Sequence, residues 1–184
     1  MGYRINTVYT RSGDQGQTST ANGNRVSKSC SRIALQGDID ELNSWLGLLR
    51  QSRLPEGFDA ILNHIQHTLF EAGAEVSSSH PCLEMTDIQW LEQHIDRINA
   101  QLPILREFVL PGGNQDAAIC HLTRSCCRRT ERTAVHVNQE ESLSPVLLGY
   151  LNRLSDLLFV MARTLARQDG QSEVLWSPRH VESD

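Results

Sequence analysis

The sequence predicts an all-α protein, a five-helix up-and-down bundle with an irregular N-terminal loop. Three observations predict the bundle. Five segments of roughly 15–25 residues repeat apolar side chains at three- and four-residue steps, the period of one helix face. No stretch alternates convincingly at period two, so a sheet is not expected. Short connections with cap and turn residues separate the segments, which favours antiparallel neighbours.

Each element can be taken in chain order. Residues 1–31 are polar, rich in Gly, Ser and Thr, and without periodicity. A structureless stretch of that length points to a functional loop. The first helix, about 32–51, places Ile39, Leu42, Leu46 and Leu49 on one face. The second, about 57–77, does the same with Phe58, Ile61, Ile65, Leu69 and Val76. The third, about 87–101, is introduced by Thr86-Asp87-Ile88-Gln89, a capping-box pattern. The fourth, about 114–138, follows Pro111-Gly112-Gly113 and carries Ala117, Cys120, Cys127 and Ala134. The fifth, about 145–168, opens on Ser144 as N-cap with Pro145 at the first helical position. It then repeats Leu147, Leu151, Leu154, Leu158, Met161 and Leu165. The expected organisation is a single domain over 1–184: loop 1–31, bundle 32–168, and a polar, loose tail 169–184.

Bulk composition agrees with a folded chain. Of 184 residues, 39% are hydrophobic and 21% charged, which is globular rather than disordered. The net charge of −5 argues against a general nucleic-acid binder. Any anion site must then be a local cluster of cations. The sequence shows no apolar run long enough to span a bilayer. Met1-Gly2-Tyr3-Arg4 leads into polar residues without a signal-peptide core, so a cytoplasmic location is expected. The five cysteines form no C-x-x-C pair and no zinc spacing, and free thiols are expected. The 17 basic residues include one lysine, Lys28.

Five constellations could carry chemistry. Thr10-Arg11-Ser12-Gly13-Asp14-Gln15-Gly16-Gln17-Thr18-Ser19 offers turns, backbone N–H groups and hydroxyls suited to phosphate oxygens. It lacks the G-K-[ST] ending of the strand-linked phosphate loop, and taken alone it equally describes a flexible polar N-terminus. On the fourth helix Arg124, Arg128, Glu131 and Arg132 share a face beside Arg129. Glu131 is placed to hold Arg128 while leaving guanidinium donors for a polyphosphate. An ordinary solvated charged face fits the same spacing. Asp40-Glu41 with Asn43 lies at the apolar edge of the first helix, with Arg124 as the natural partner for Asp40. Asn152, Arg153, Ser155 and Asp156 lie beside the stripe of the fifth helix, where a buried Asn152 would need a hydrogen-bond partner. Phe108-Val109-Leu110-Pro111-Gly112-Gly113 could set Phe108 at a surface cleft or cap the core with it. A ferritin-like metal bundle needs paired Glu-x-x-His motifs, and the sequence has none. His64, His67, His94 and His121 are scattered.

Together these segments resemble the ATP:cob(I)alamin adenosyltransferases of the propanediol-utilisation type, from Tyr9 to about Arg167. The stretches that carry the resemblance are Tyr9 to Gly16, Gly37-Asp38-Ile39-Asp40-Glu41-Leu42-Asn43-Ser44-Trp45, Phe108 to Gly113, Arg124 to Arg132, and Tyr150-Leu151-Asn152-Arg153-Leu154-Ser155-Asp156. Each is modest alone; their order and spacing in one chain are specific. The resemblance implies an enzyme that moves the 5′-deoxyadenosyl group of ATP to a reduced corrinoid. It implies a homotrimeric bundle with ATP and Mg²⁺ in clefts between subunits, cobalamin beside them, and a flavin-type reductase as a possible partner. By the same resemblance Thr10, Arg11, Ser12, Gly13, Thr18 and Ser19 wrap the nucleotide. Lys28, Arg128, Arg129, Thr130, Glu131, Arg132 and Asn152 contact it. Asp40 and Arg124 form an intersubunit ion pair, and Phe108 keeps the lower axial ligand off cobalt. Two departures stand out: Gln15 replaces a frequent lysine, and Ile33-Ala34-Leu35-Gln36 replaces a more usual acidic or aromatic stretch. A non-catalytic ATP- or corrinoid-binding regulator on the same bundle is the alternative.

Overall fold

The computed structural model describes residues 9–177, so the N-terminal tetrapeptide read for targeting lies outside the described residues. Five helices account for most of the chain: α1 (Ser31–Leu49), α2 (Phe58–Ser78), α3 (Met85–Asn99), α4 (Gln115–Glu140) and α5 (Pro145–Ala166). Their observed ends fall within about three residues of those expected from periodicity. The N-terminal loop holds one regular feature that the period-two test missed. Two three-residue strands, β1 (Gln17–Ser19) and β2 (Arg25–Ser27), pair antiparallel as a hairpin. Strands that short offer too few residues for alternation to show.

Helix α4 is the centre of the bundle. It packs between α1 and α5, with α2 against α1 and α3 against α5. The ring closes where His64 of α2 stacks on Trp90 of α3, with centroids 4.3 Å apart. Leu42, Leu46, Leu62, Ile65, Leu69, Leu151, Leu154 and Leu158 are fully buried in one continuous core. Each side chain removed from water contributes roughly 1.5–3 kcal/mol. Most inward residues of α4 are small, among them Ala117, Cys120, Thr123, Cys127, Thr130 and Ala134. Small side chains let α1 and α5 approach closely on both sides. The buried thiols of Cys120 and Cys127 donate to the carbonyls of Leu158 and Leu151, each at 3.3 Å. Burial pushes both thiol pKa values up, so they remain protonated.

The capping chemistry is partly as expected. Ser144 caps α5 by accepting from the Val146 N–H, with Pro145 in the first turn. The capping box of α3 sits two residues earlier than Thr86: Glu84 is the N-cap and Asp87 its reciprocal partner. Asn114 caps α4 through the Ala117 N–H and also donates to the Leu165 carbonyl at 2.7 Å. Gly113 makes that approach possible, with φ near +100° and a neighbour, Ala166 Cβ, only 3.3 Å from where its own β-carbon would lie.

Two expectations are corrected. By length and hydropathy α5 is apolar enough to cross a membrane. Its apolar residues instead face α3 and α4, and most are buried in the bundle. The tail is not loose where it is described. Leu110 N–H donates to the Val174 carbonyl at 2.8 Å and Trp176 N–H to the Phe108 carbonyl at 2.7 Å, around a Val109–Leu175 bridge. The apolar run Val174-Leu175-Trp176 was the available signal, and the polar residues around it masked it.

One buried group makes stability depend on pH. His121, 3% exposed on α4, has neither ring nitrogen bonded among the described residues. Burial first, then the Arg124 charge, lowers its pKa from 6.5 to about 4. The folded state therefore holds His121 neutral while the unfolded chain protonates it near pH 6.5. Its stabilising effect is full above that pH and is lost as pH falls toward 4. Denaturant titrations from pH 7 to pH 4 are expected to show a loss of up to about 3 kcal/mol from this group. A His121→Leu variant should lose less over the same interval. An unchanged slope in the variant would refute the assignment.

Candidate functional site

The site begins with how α4 is held. Thr130 is fully buried and donates its hydroxyl to the Asp38 carbonyl of α1 at 3.2 Å. One turn on, Thr133 donates to the Asp38 carboxylate at 2.5 Å. Arg129 pairs with both Asp38, at 3.5 Å, and Glu41. These contacts fix the rotation of α4 against α1. On the opposite flank Asn152 of α5 donates to Glu131 at 2.9 Å. The guanidinium face of α4 is therefore oriented by both neighbouring helices.

What remains on that face is cationic. Arg128 is exposed and has no hydrogen-bond or ion-pair partner among the described residues. Arg132 is exposed and donates only to the Arg128 carbonyl, at 3.1 Å. Arg124, one turn before Arg128, lies over the Phe159 ring with its carbon 5.7 Å from the centroid, and its buried Nε is unpartnered. Burial, then the nearby Arg128 charge, lowers the Arg124 pKa. Guanidinium groups with donors free and positions set by packing suit the oxygens of a polyphosphate.

This arrangement brings together Arg124, Arg128, Glu131, Arg132 and Asn152, and it revises several expected pairings. Glu131 is held by Asn152 rather than holding Arg128. Asn152 is exposed, not buried, and reaches across to α4 instead of specifying the core. Thr130 turns its hydroxyl inward, where it donates to the Asp38 and Cys126 carbonyls and latches α4 to α1. Asp40 is exposed on α1 and does not meet Arg124 within one chain; the α1 carboxylates that bind an α4 arginine are Asp38 and Glu41. Asp38 and Thr133 were missed as a latch. Their only signal was a carboxylate and a hydroxyl on helix faces whose rotation periodicity does not fix. Asn43 bonds the Gln66 carbonyl of α2, and Arg153 bonds Glu92 of α3 and Asp156, so these three residues serve packing.

The N-terminal loop is a second, separate group. Arg11 adopts φ near +59° and Gly16 φ near +77°, which turns the chain back on itself. Thr10 and Ser12 hydroxyls lie 2.7 Å apart, and Arg25 donates to the Ser12 carbonyl at 2.7 Å. Lys28 closes the loop through its N–H to the Gly16 carbonyl at 2.8 Å. Its ammonium lies 3.0 Å from where a β-carbon on Gly13 would stand. A side chain there would push the flexible end of the lysine aside by a few tenths of an ångström, so the motif and the lone lysine are in close contact. Thr18 and Ser19 lie in β1, on the same hairpin.

The loop anchors at the far end of the bundle, where Ser31 bonds Glu140 and Ala21 N–H bonds Ser77. Glu140 is twelve residues beyond Arg128, about 18 Å along the α4 axis. Among the described residues no hydrogen bond or ion pair links the loop 9–29 to Arg128, Arg132 or Asn152. Phe108 belongs to the opposite end. It is 78% exposed rather than capping the core, and its ring meets the edge of Trp176, at 6.4 Å between centroids.

Comparisons with known proteins agree with this architecture. The family model described as cobalamin adenosyltransferase matches residues 8–165. A cobalamin adenosyltransferase of Cupriavidus metallidurans is 47% identical over 178 residues, covering 96% of this chain and 97% of that protein. A corrinoid adenosyltransferase of Mycobacterium tuberculosis is 39% identical, covering 97% and 96%. Among solved structures, a variant PduO-type ATP:corrinoid adenosyltransferase from Lactobacillus reuteri, complexed with cobalamin and ATP, superposes with a TM-score of 0.87 at 32% identity. That match covers 92% of this chain and 96% of the other. The central cationic helix, the glycine-bearing loop closed by Lys28 and the exposed Phe108 thus stand on the frame of proteins named for one reaction, and the chain belongs to the cobalamin adenosyltransferase family.

Proposed function

We propose that this chain transfers the 5′-deoxyadenosyl group of ATP to the cobalt of cob(I)alamin or a related corrinoid, releasing triphosphate. Cobalt(I) attacks C5′ of ATP. A cobalt–carbon bond forms from the metal's electron pair, and the C5′–oxygen bond breaks with its pair leaving on triphosphate. The reduced corrinoid is the nucleophile, so the protein needs to supply position and charge rather than an attacking side chain. The observation that carries the reading is the oriented, unpaired pair Arg128 and Arg132 on the face of α4. Similarity to a structure complexed with cobalamin and ATP supports it. The non-catalytic regulator gains no support, since the relatives named above are adenosyltransferases.

Residue roles follow from chemistry. Arg128, with Arg132 beside it and Lys28 from the loop, would neutralise the charge that develops on the leaving triphosphate. Mg²⁺ carried on the phosphates would supply further neutralisation. Arg129 contributes through its latch to Asp38 and Glu41, which fixes the register of the helix. Thr10 to Gly13, Thr18 and Ser19 offer N–H and hydroxyl groups to the nucleotide. Phe108 would cover the lower face of the corrinoid, displacing its axial ligand and excluding water. That change makes reduction of Co(II) to Co(I) less unfavourable.

The separation of loop and helix within one chain supports an assembly in which they meet across subunits. A homotrimer places the Lys28 loop of one copy against the α4 face of the next. Exposed Asp40 and the unpartnered Arg124 are complementary charges for the same contact. A flavin-type reductase as electron source and a cytoplasmic location complete the reading. Five cysteines without a disulfide are consistent with that compartment.

The direct test is anaerobic: purified protein, MgATP and chemically reduced cob(I)alamin, followed by the visible spectrum. The Co(I) band should disappear as a light-sensitive adenosylcobalamin spectrum grows. ATP binding without any spectral change would refute the transferase. Arg128→Ala is expected to lower turnover by about 100-fold, the usual effect of removing one preorganised donor to a developing anion. Near-normal kinetics would reduce the cluster to a solvated face. Phe108→Ala should lose far more activity from Co(II) than from pre-reduced Co(I), and equal losses in the two assays would refute its role.

A further inference from the structure

Phe108 is held from outside the core. At 78% exposure the ring gains little from packing, so its position depends on the backbone of residues 103–110. That segment hangs from one buried side chain by two routes. Arg163 of α5 donates to the Pro103 carbonyl at 2.8 Å, at the start of the segment. The same guanidinium binds Glu173 of the tail through Nε. Glu173 also takes Arg167 at 3.0 Å. From Glu173 the chain runs directly into Val174, Leu175 and Trp176, which pair with Leu110, Val109 and Phe108. Trp176 then sets its ring edge against Phe108 at 74°.

The charges involved are costly to place there. Arg163 and Glu173 side chains are 4% and 5% exposed. A buried pair of this kind contributes little net stability, but removing either member strands the other without solvent. Among the described residues of 172–177, the Glu173 carboxylate is the only side chain that hydrogen-bonds to the bundle. The tail is therefore fastened to α5 at a single ionic point, immediately before it pairs with the Phe108 segment.

We propose that Glu173, clamped between Arg163 and Arg167, is a positioning residue that fixes where Phe108 stands. It touches neither substrate. It holds the strand that holds the phenylalanine, and so it tunes the Co(II)-dependent half of the reaction. This rests on the reading of Phe108 given above.

The test uses the full chain and Glu173→Gln, which keeps the shape and removes the charge. Two readouts are needed. Amide hydrogen exchange at Leu110 and Trp176 should accelerate by on the order of tenfold, while α1 and α4 amides keep their protection. The ratio of adenosylation rates begun from cob(II)alamin and from cob(I)alamin should fall by about tenfold. Unchanged exchange at both amides would overturn the clamp. Faster exchange with an unchanged ratio would overturn the positioning role and leave a purely structural tie. Phe108→Ala, measured in parallel, separates the two ideas. If it lowers both rates equally, the reading of Phe108 fails whatever Glu173 does; if it lowers only the Co(II) rate, the Glu173 result stands on its own. Should Glu173→Gln fail to fold, Arg167→Met opens the clamp from its exposed side. It should move both readouts in the same direction by a smaller factor, and no movement in either would overturn the proposal.

Discussion

Helix α4 is buried on two sides, and the small size of most of its inward residues makes this possible. Ala117, Cys120, Cys127, Thr130 and Ala134 let α1 and α5 close over it. A helix enclosed in that way has only a narrow strip left for solvent, and polar side chains must either reach the strip or find partners inside. The buried hydroxyls and thiols find backbone carbonyls. The arginines take the strip. Crowding guanidinium groups along one face is unfavourable by itself: burial first, and then the charge of Arg128, lowers the pKa of Arg124. Arg129 is neutralised by α1 and Glu131 is drawn off by Asn152. What is left without an ion pair among the described residues is Arg128 with Arg132. The packing of the central helix thus decides which charges remain available to an anion.

A rigid cationic strip and a flexible nucleotide make different demands, and the chain meets them with different elements. Helices α1 and α4 fix the backbone from which the arginines project, through the buried Thr130 hydroxyl. The loop that ends at Lys28 is built from short-range turns, a three-residue hairpin and one close approach at Gly13. Few of its atoms are buried, so it can adjust around a ligand at small energetic expense. On the proposed reading, charge set in advance for the leaving group and an adaptable cover are complementary, because only the first must be in place before the bond breaks.

Periodicity revealed the helices because burial forces it: Leu42, Leu46 and Leu49, or Leu147 through Leu165, have no other pattern open to them. It also placed Arg124, Arg128 and Arg132 on one face, since that follows from helix geometry alone. The partners were not legible. Whether Glu131 turns to Arg128 or to Asn152, and whether Asp38 or Asp40 meets α4, depends on how far two helices rotate against each other. That rotation is set by side-chain volumes across the interface, which no single segment contains. The hairpin was hidden by its length. The tail was hidden because Glu173 reads as one more exposed acid until Arg163 is known to be buried beside it. The roles of Lys28 and Phe108 came through the order and spacing of motifs, because an exposed side chain leaves no periodic trace.

Lys28 and Phe108 stand at opposite ends of the bundle, with the arginine strip between them. In the assembly proposed above Lys28 acts from a neighbouring copy, so this distance separates supports rather than the groups of one site. The loop is tied at the Ser77 and Glu140 end, and the Phe108 segment is tied by Arg163 and the tail strand. The buried pair at the tail suits the second of these supports. Arg163 and Glu173 cancel each other's charge away from water, while the remaining cation of the clamp, Arg167, is 38% exposed, so solvent screens it.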